Sequence, residues 1–217
     1  MNKRLKAAMI RFMQKRYTDQ EVNNRWNTIE NQYEKWLLEE GDLGGKKNWM
    51  SSNMLLCYLM CVFYDGIDRR LSQEEFLEIF YDAMGSTLKM LRHFDMNKLQ
   101  KKKWLMHAAN KYVKHYEKQT NEKRGGEWGN TWKIRANPDA RETGIAYVLD
   151  SCPLYEFAMK HDYMDVLPFM CASDHLVAKA FHAHLIRHKT LSDGDDACEY
   201  WYVGDQGGVA LSDTGSK

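Results

Sequence analysis

Apolar positions recur at helical spacing through residues 1–120, and at strand spacing in short stretches beyond residue 130. Residues 2–16 predict a helix, with Leu5, Met9, Ile10 and Met13 as its apolar stripe. Thr18 with Glu21 forms a capping-box pattern that opens a second helix to about Glu40. Its buried face is Val22, Trp26, Ile29, Tyr33, Trp36 and Leu37, and Gly41, Gly44 and Gly45 end it. A third helix, from about Lys47 to Asp65, is apolar nearly all round and belongs at the centre of a helical core. Ser72 with Glu75 opens a fourth, through about His93, with Phe76, Ile79, Phe80, Met84 and Leu88 inward. A fifth is expected to run unbroken from Met96 to Thr120.

The polar stretch Gln119 to Gly129 reads as a loop. Thr131–Arg135 then alternates with period two, Asn137-Pro138-Asp139 turns, and Gly144–Leu149 returns, which predicts an antiparallel pair. Three helices follow: Pro153–His161, Tyr163–Met170 and Ser173–Phe181, the last capped by Ser173 or Asp174. A strand over His182–His188 and another over Ala197–Val203, joined by a turn at Asp193-Gly194, complete the pattern. The fold class is therefore α+β: a bundle of about five helices, then a small antiparallel sheet with inserted helices. Residues 1–120 form the helical region, 130–203 an α+β region of the same domain, and 204–217 a flexible tail.

Charge narrows the partners. Lys and Arg number 31 against 30 Asp and Glu, a net +1, so no field points to nucleic acid or to an anionic membrane. Lys101-Lys102-Lys103 reads as a solvated helix face. The longest apolar run, Met54–Tyr64, falls short of the roughly 20 residues that cross a bilayer, and Met1–Lys6 carries no signal-peptide pattern. Five cysteines, an odd number, fit reduced thiols in the cytoplasm. The expected partner is a small-molecule substrate, with no nucleic acid and no membrane; homo-oligomerisation is left open.

The reactive residue types concentrate between Ser151 and Trp201. Three of the five cysteines (Cys152, Cys171, Cys198) and five of the eight histidines lie there. Cys152 precedes a Pro153-led helix, where dipole and free N–H groups favour a thiolate. The candidate catalytic residues are Cys152, Cys171, Asp174 and Cys198: a thiol nucleophile and an acid/base or orienting carboxylate. Arg187, His175 and His188 are the candidate substrate-binding residues, Arg187 because its planar fork matches a carboxylate. Cys171, Asp174, His175 and Cys198 offer ligands that suit zinc or iron, yet no Cys-x-x-Cys or His-x-x-x-His spacing accompanies them. No metal and no cofactor are expected. Cys57 and Cys61, one turn apart on the most apolar helix, read as packing thiols.

The order Cys152-Pro153, then Cys171-Ala172-Ser173-Asp174, then Thr190-Leu191 through Gly194-Asp195 to Cys198 resembles the L-2-amino-thiazoline-4-carboxylic acid hydrolase family. The resemblance covers about residues 130–203; the first 120 residues agree in being helical. It implies hydrolytic opening of a small cyclic amidine or thiazoline ring, with Cys152, Cys171, Asp174 and Cys198 at stake. In the reaction that names the family, water adds at the amidine carbon, the carbon–sulfur bond breaks, and N-carbamoyl-cysteine results. The resemblance departs after the last Cys. There the family often carries a basic residue, and this chain has Glu199-Tyr200-Trp201-Tyr202. A looser likeness to ligand-binding domains of the vinyl-reductase type implies the alternative, a non-catalytic small-molecule-binding or sensor domain.

Overall fold

Two reciprocal caps start the helical half. In the computed structural model, which describes residues 3–206, the Thr18 and Ser72 side chains each accept from the backbone N–H three residues on. Glu21 and Glu75 return bonds to the cap N–H groups, so both helix starts satisfy two otherwise orphan donors. The helices are α1 (Lys3–Gln14), α2 (Asp19–Glu39), α3 (Ser51–Gly66), α4 (Gln73–Leu91), α5 (Met96–Gln100) and α6 (Lys103–Lys123). The second half is β1 (Lys133–Ala136), β2 (Ile145–Ser151), α7 (Pro153–His161), α8 (Leu167–Ala180), β3 (Ala183–Ile186) and β4 (Cys198–Gly204). The fold is α+β. Its tail lies, from residue 207 on, outside the described residues, as do Met1 and Asn2.

The predominantly apolar α3 is the spine of the molecule. Ten of its residues are buried, and one cluster of buried side chains reaches from Leu5 on α1 to Cys198 on β4. The C-terminal helices sit directly on this bundle. Phe157 of α7 meets Tyr58 at 4.9 Å and Trp36 at 4.8 Å between ring centroids, and Phe169 of α8 meets Phe76 at 6.3 Å. Two tyrosine–carboxylate bonds stitch the same seam: Tyr64 to Asp165 at 2.8 Å, and Tyr163 to Asp65 at 2.5 Å.

All four strands are antiparallel, in the order β1-β2-β4-β3. Tyr147 lies opposite Tyr200, Leu149 opposite Cys198, and Leu185 opposite Tyr202. Period two then places these six, with Ile134, on the face that meets the helices. The other face carries Ala146, Val148, Ile186, Glu199 and Trp201, and the 137–144 loop folds across it. Trp201 donates its indole N–H to the Thr143 carbonyl at 2.9 Å, beneath the Arg141 guanidinium.

Two expectations about the helices need correction. The single helix over Met96–Thr120 is broken at Lys101-Lys102 into α5 and α6. The break lets α5 close off the end of β4. Met96 N–H bonds the Phe181 carbonyl, Asn97 bonds Asp205 at 2.7 Å, and Gln100 accepts from Gly204 N–H at 2.9 Å. Conversely, Tyr163–Met170 and Ser173–Phe181 are not two helices. The helix starts later, at Leu167 with Pro168 in its first turn, and α8 runs on through residue 173. Ser173 and Asp174 therefore do not cap it; the Ser173 hydroxyl turns back to the Met170 carbonyl at 2.7 Å.

Asn48, 1% exposed, ties the link between α2 and α3 to α6 and to the approach to β1. Its amide donates to Leu43 O at 2.8 Å and to Thr131 Oγ1 at 3.0 Å, while its oxygen accepts from Met50 N–H and the Tyr116 hydroxyl. Removing it strands a buried tyrosine O–H and a carbonyl. N48A is expected to lower the unfolding free energy by about 2–3 kcal/mol in urea titrations; a change under about 0.5 kcal/mol would show the knot to be dispensable.

Candidate active site

The strand alternation at the end of β3 turns Arg187 inward and its neighbour His188 outward. Arg187 has a side chain only 7% exposed, and three of its nitrogens are engaged. Nη2 donates to Asp174 Oδ2 at 2.7 Å, Nη1 to the Cys171 carbonyl at 3.3 Å, and Nε to the Glu199 carbonyl at 3.3 Å. The guanidinium also lies 4.2 Å from the centroid of the Tyr200 ring, whose hydroxyl donates to the same Asp174 oxygen at 3.1 Å. Burial works against the Arg187 charge, but Tyr200 and then Asp174 outweigh it and hold the group cationic beyond its ordinary range. Asp174 Oδ2 is thereby fixed by two donors. Oδ1 has no hydrogen-bond partner among the described residues, and the side chain is 34% exposed.

The three thiols influence one another, and Cys171 lies beside this carboxylate. Cys171 sits one turn before Asp174 on α8, Cys152 at the start of α7, and Cys198 at the start of β4. Cys152 feels Cys198 and Cys171, and Cys171 feels Asp174, Arg187 and Cys198. Burial is the dominant influence on both thiols. It pushes Cys171 up to about 12, with Asp174 adding to the rise and Arg187 and the Ser192 hydroxyl opposing it. Burial pushes Cys152 further still, against the Tyr155 and Leu154 amides at the helix start. The helix dipole that favours a thiolate at Cys152 is thus outweighed by desolvation. Cys198 has a different setting: its sulfur accepts from Leu191 N–H at 3.2 Å and lies 3.5 Å from the Thr190 hydroxyl, which pins the Thr190–Gly194 bend to β4.

Sequence reasoning passed over the tyrosines. Tyr147 stacks on Tyr200 with centroids 4.7 Å apart, and Tyr202 follows at 6.3 Å from Tyr200. All three are half-buried, and burial raises each phenol. The alternation of Tyr200 and Tyr202 on one strand face was the available signal. Of the other candidates, His175 is exposed on α8, yet partial desolvation of its ring against the protein, then Arg187, lowers its proton affinity. His188 is on the far face of the sheet, 3.3 Å from Glu199, and does not join the thiols. The small, partly open recess beside it, between the 137–144 loop and the sheet, is about 10 Å³, room for about one water. Among the described residues no group of three His, Cys, Asp or Glu side chains could hold a metal ion, and no helix is long and apolar enough to cross a membrane.

The thiols give the folded chain a definite alkaline response. A thiol raised in the folded state favours folding while it is neutral, so its contribution is complete below the ordinary value of about 8.5 and is lost as pH climbs toward 12. Between pH 8 and 9.5, Cys152 and Cys171 together are expected to remove about 2 kcal/mol from the unfolding free energy. C152A/C171A should flatten that decline by more than half in urea titrations at each pH, Cys57 supplying the remainder; equal declines in both proteins would mean that the two thiols titrate normally.

Comparison with curated proteins and with solved structures returned no match. A family model described as L-2-amino-thiazoline-4-carboxylic acid hydrolase matches residues 52–202. That span is wider than the expected 130–203. It begins on α3, covers β1, β2 and β3, ends within β4, and takes in the thiols, Asp174 and Arg187. With more than half of its length matched, the chain belongs to the L-2-amino-thiazoline-4-carboxylic acid hydrolase family.

Proposed function

We propose that this protein is a hydrolase that opens a small cyclic amidine or thiazoline-type ring at the Cys171–Asp174 site. The observation that carries the reading is the carboxylate of Asp174: one oxygen held by Arg187 and Tyr200, the other unengaged, beside a half-buried thiol. Cys171 attacks the amidine carbon while Asp174 Oδ1 takes its proton. The ring carbon–sulfur bond breaks, and the departing sulfur takes up that proton. Water then adds to the enzyme-bound carbon and releases Cys171, leaving a urea-type group on the opened chain. The net change is addition of one water. Because burial keeps Cys171 neutral at rest, the thiolate exists only as it attacks, so Asp174 is as necessary as the sulfur. In this reading Cys152 and Cys198 border the same site, with Cys152 the second candidate nucleophile.

The neutral resting state of the thiols also favours a second reading, a domain that binds such a ring without opening it. Turnover separates the two. With 2-amino-thiazoline-type rings as substrates, C171A and D174N are each expected to lower kcat by about 10²–10⁴-fold, and wild type quenched during turnover should carry a mass adduct on Cys171. Full turnover in both C171A and C152A would remove the thiol mechanism. Saturable binding with no product would establish the binding domain.

A further inference from the structure

The net charge of +1 conceals an uneven distribution. Between Lys89 and Tyr116, eight Lys and Arg side chains stand against one carboxylate, Asp95. That stretch is +7, and the rest of the chain is therefore −6. All eight cations are exposed. Lys98 pairs with Asp95 at 3.4 Å; the other seven have no carboxylate within ion-pair reach among the described residues. Further along α6 the pattern changes, and Lys118 and Lys123 pair with Glu122 and Glu127. The helix start adds to the excess. α6 opens on Lys102 and Lys103, with no acidic residue in its first turn and no side-chain cap, where the dipole already carries partial positive charge. α2 and α4 open the other way, with capping boxes and acidic first turns. Helix stability alone favours their arrangement over that of α6.

Apolar side chains project from the same region. Met90 in the last turn of α4, Phe94 between α4 and α5, Trp104 in the first turn of α6 and Tyr112 two turns on are each more than half exposed. They are four of the eight exposed large apolar side chains among the described residues. The opposite side of α6 is spent on the protein: Met106, Tyr116 and Thr120 are buried, and Met106 packs in one cluster with Met96 of α5. Helical spacing then leaves Trp104, His107, Lys111 and Lys114 as an outward stripe. Lysines set around protruding Trp, Phe and Met side chains fit an anionic phospholipid surface. Its headgroups supply the complementary charge, and its interface accepts amphipathic rings. Nucleic acid fits less well. Neither α5 nor α6 contains an arginine, the side chain best matched to phosphates and base edges, and Met90 has no ring to stack on a base. We infer that α5 and the outer face of the first half of α6 dock on an anionic phospholipid bilayer, with Phe94 and Trp104 entering the headgroup region. The chain then lies on the membrane, and no helix has to cross it. The inference departs from the expectation of no membrane, which weighed the charge of the whole chain, and it is independent of the reaction at Cys171.

The test uses the untagged full chain in sedimentation with vesicles of phosphatidylcholine, alone or with about 30% phosphatidylserine, at about 0.1 M salt. Binding to the serine-containing vesicles is expected to be tighter by about tenfold or more. K101Q/K102Q/K103Q is expected to weaken that binding by about tenfold or more, and W104A by about threefold or more. K15Q/K35Q/K46Q removes the same charge from exposed sites elsewhere, and is expected to change it by less than about twofold. W104A leaves every lysine in place, so it still decides should the first triple variant fail to fold. Equal binding to the two vesicles, binding to neither, or equal losses in the two triple variants overturns the inference. Wild-type affinity in both K101Q/K102Q/K103Q and W104A overturns it as well. So does tighter binding of a single-stranded RNA oligonucleotide at the same salt, which would assign the face to nucleic acid.

Discussion

The buried contact between Arg187 and Asp174 is the constraint on which the rest of the site depends. A guanidinium with 7% of its side chain exposed cannot remain there unpaired; the loss of one partner in a buried pair costs several kcal/mol. The contact joins two elements that meet only through folding, the middle of α8 and the residue after β3. Its further bonds to the Cys171 and Glu199 carbonyls carry the clamp to the helix backbone and to β4. A carboxylate on a helix surface would ordinarily sample several rotamers. Here one oxygen is fixed from two sides, and the other is therefore aimed by the fold and not by the ligand.

How much of this was legible in the sequence depends on which force decides each element. Capping boxes at Thr18 and Ser72 act within four residues, and both could be read directly. The strands followed from period-two alternation, and Gly194 at φ +90 supplied the left-handed bend expected at Asp193-Gly194. Where the outcome rests on partners far along the chain, local reading went astray. The break between α5 and α6 is held by bonds from Asn97 and Gln100 to the end of β4, more than 100 residues away. The continuity of α8 through Ser173 reflects packing of both its halves on the bundle, against which a serine with cap preference counts for little. Motif order set Cys152, Cys171, Asp174 and Cys198 side by side on paper; in the folded chain Cys152 feels Cys171 and Cys198, and Cys171 feels Asp174 and Cys198. It could not separate Arg187 from His188, because the side on which a strand residue falls is set by register.

The same dependence on burial governs the chemistry. Read from sequence, Cys152 before a proline-led helix looks like an activated thiolate. In the folded chain the sulfur is enclosed, and removal from water outweighs the two amides that face it. Both effects are real, and their ranking depends on packing that local sequence does not encode. The consequence is that Cys152 and Cys171 both rest as neutral thiols. A neutral thiol resists adventitious alkylation and oxidation, since both go through the thiolate.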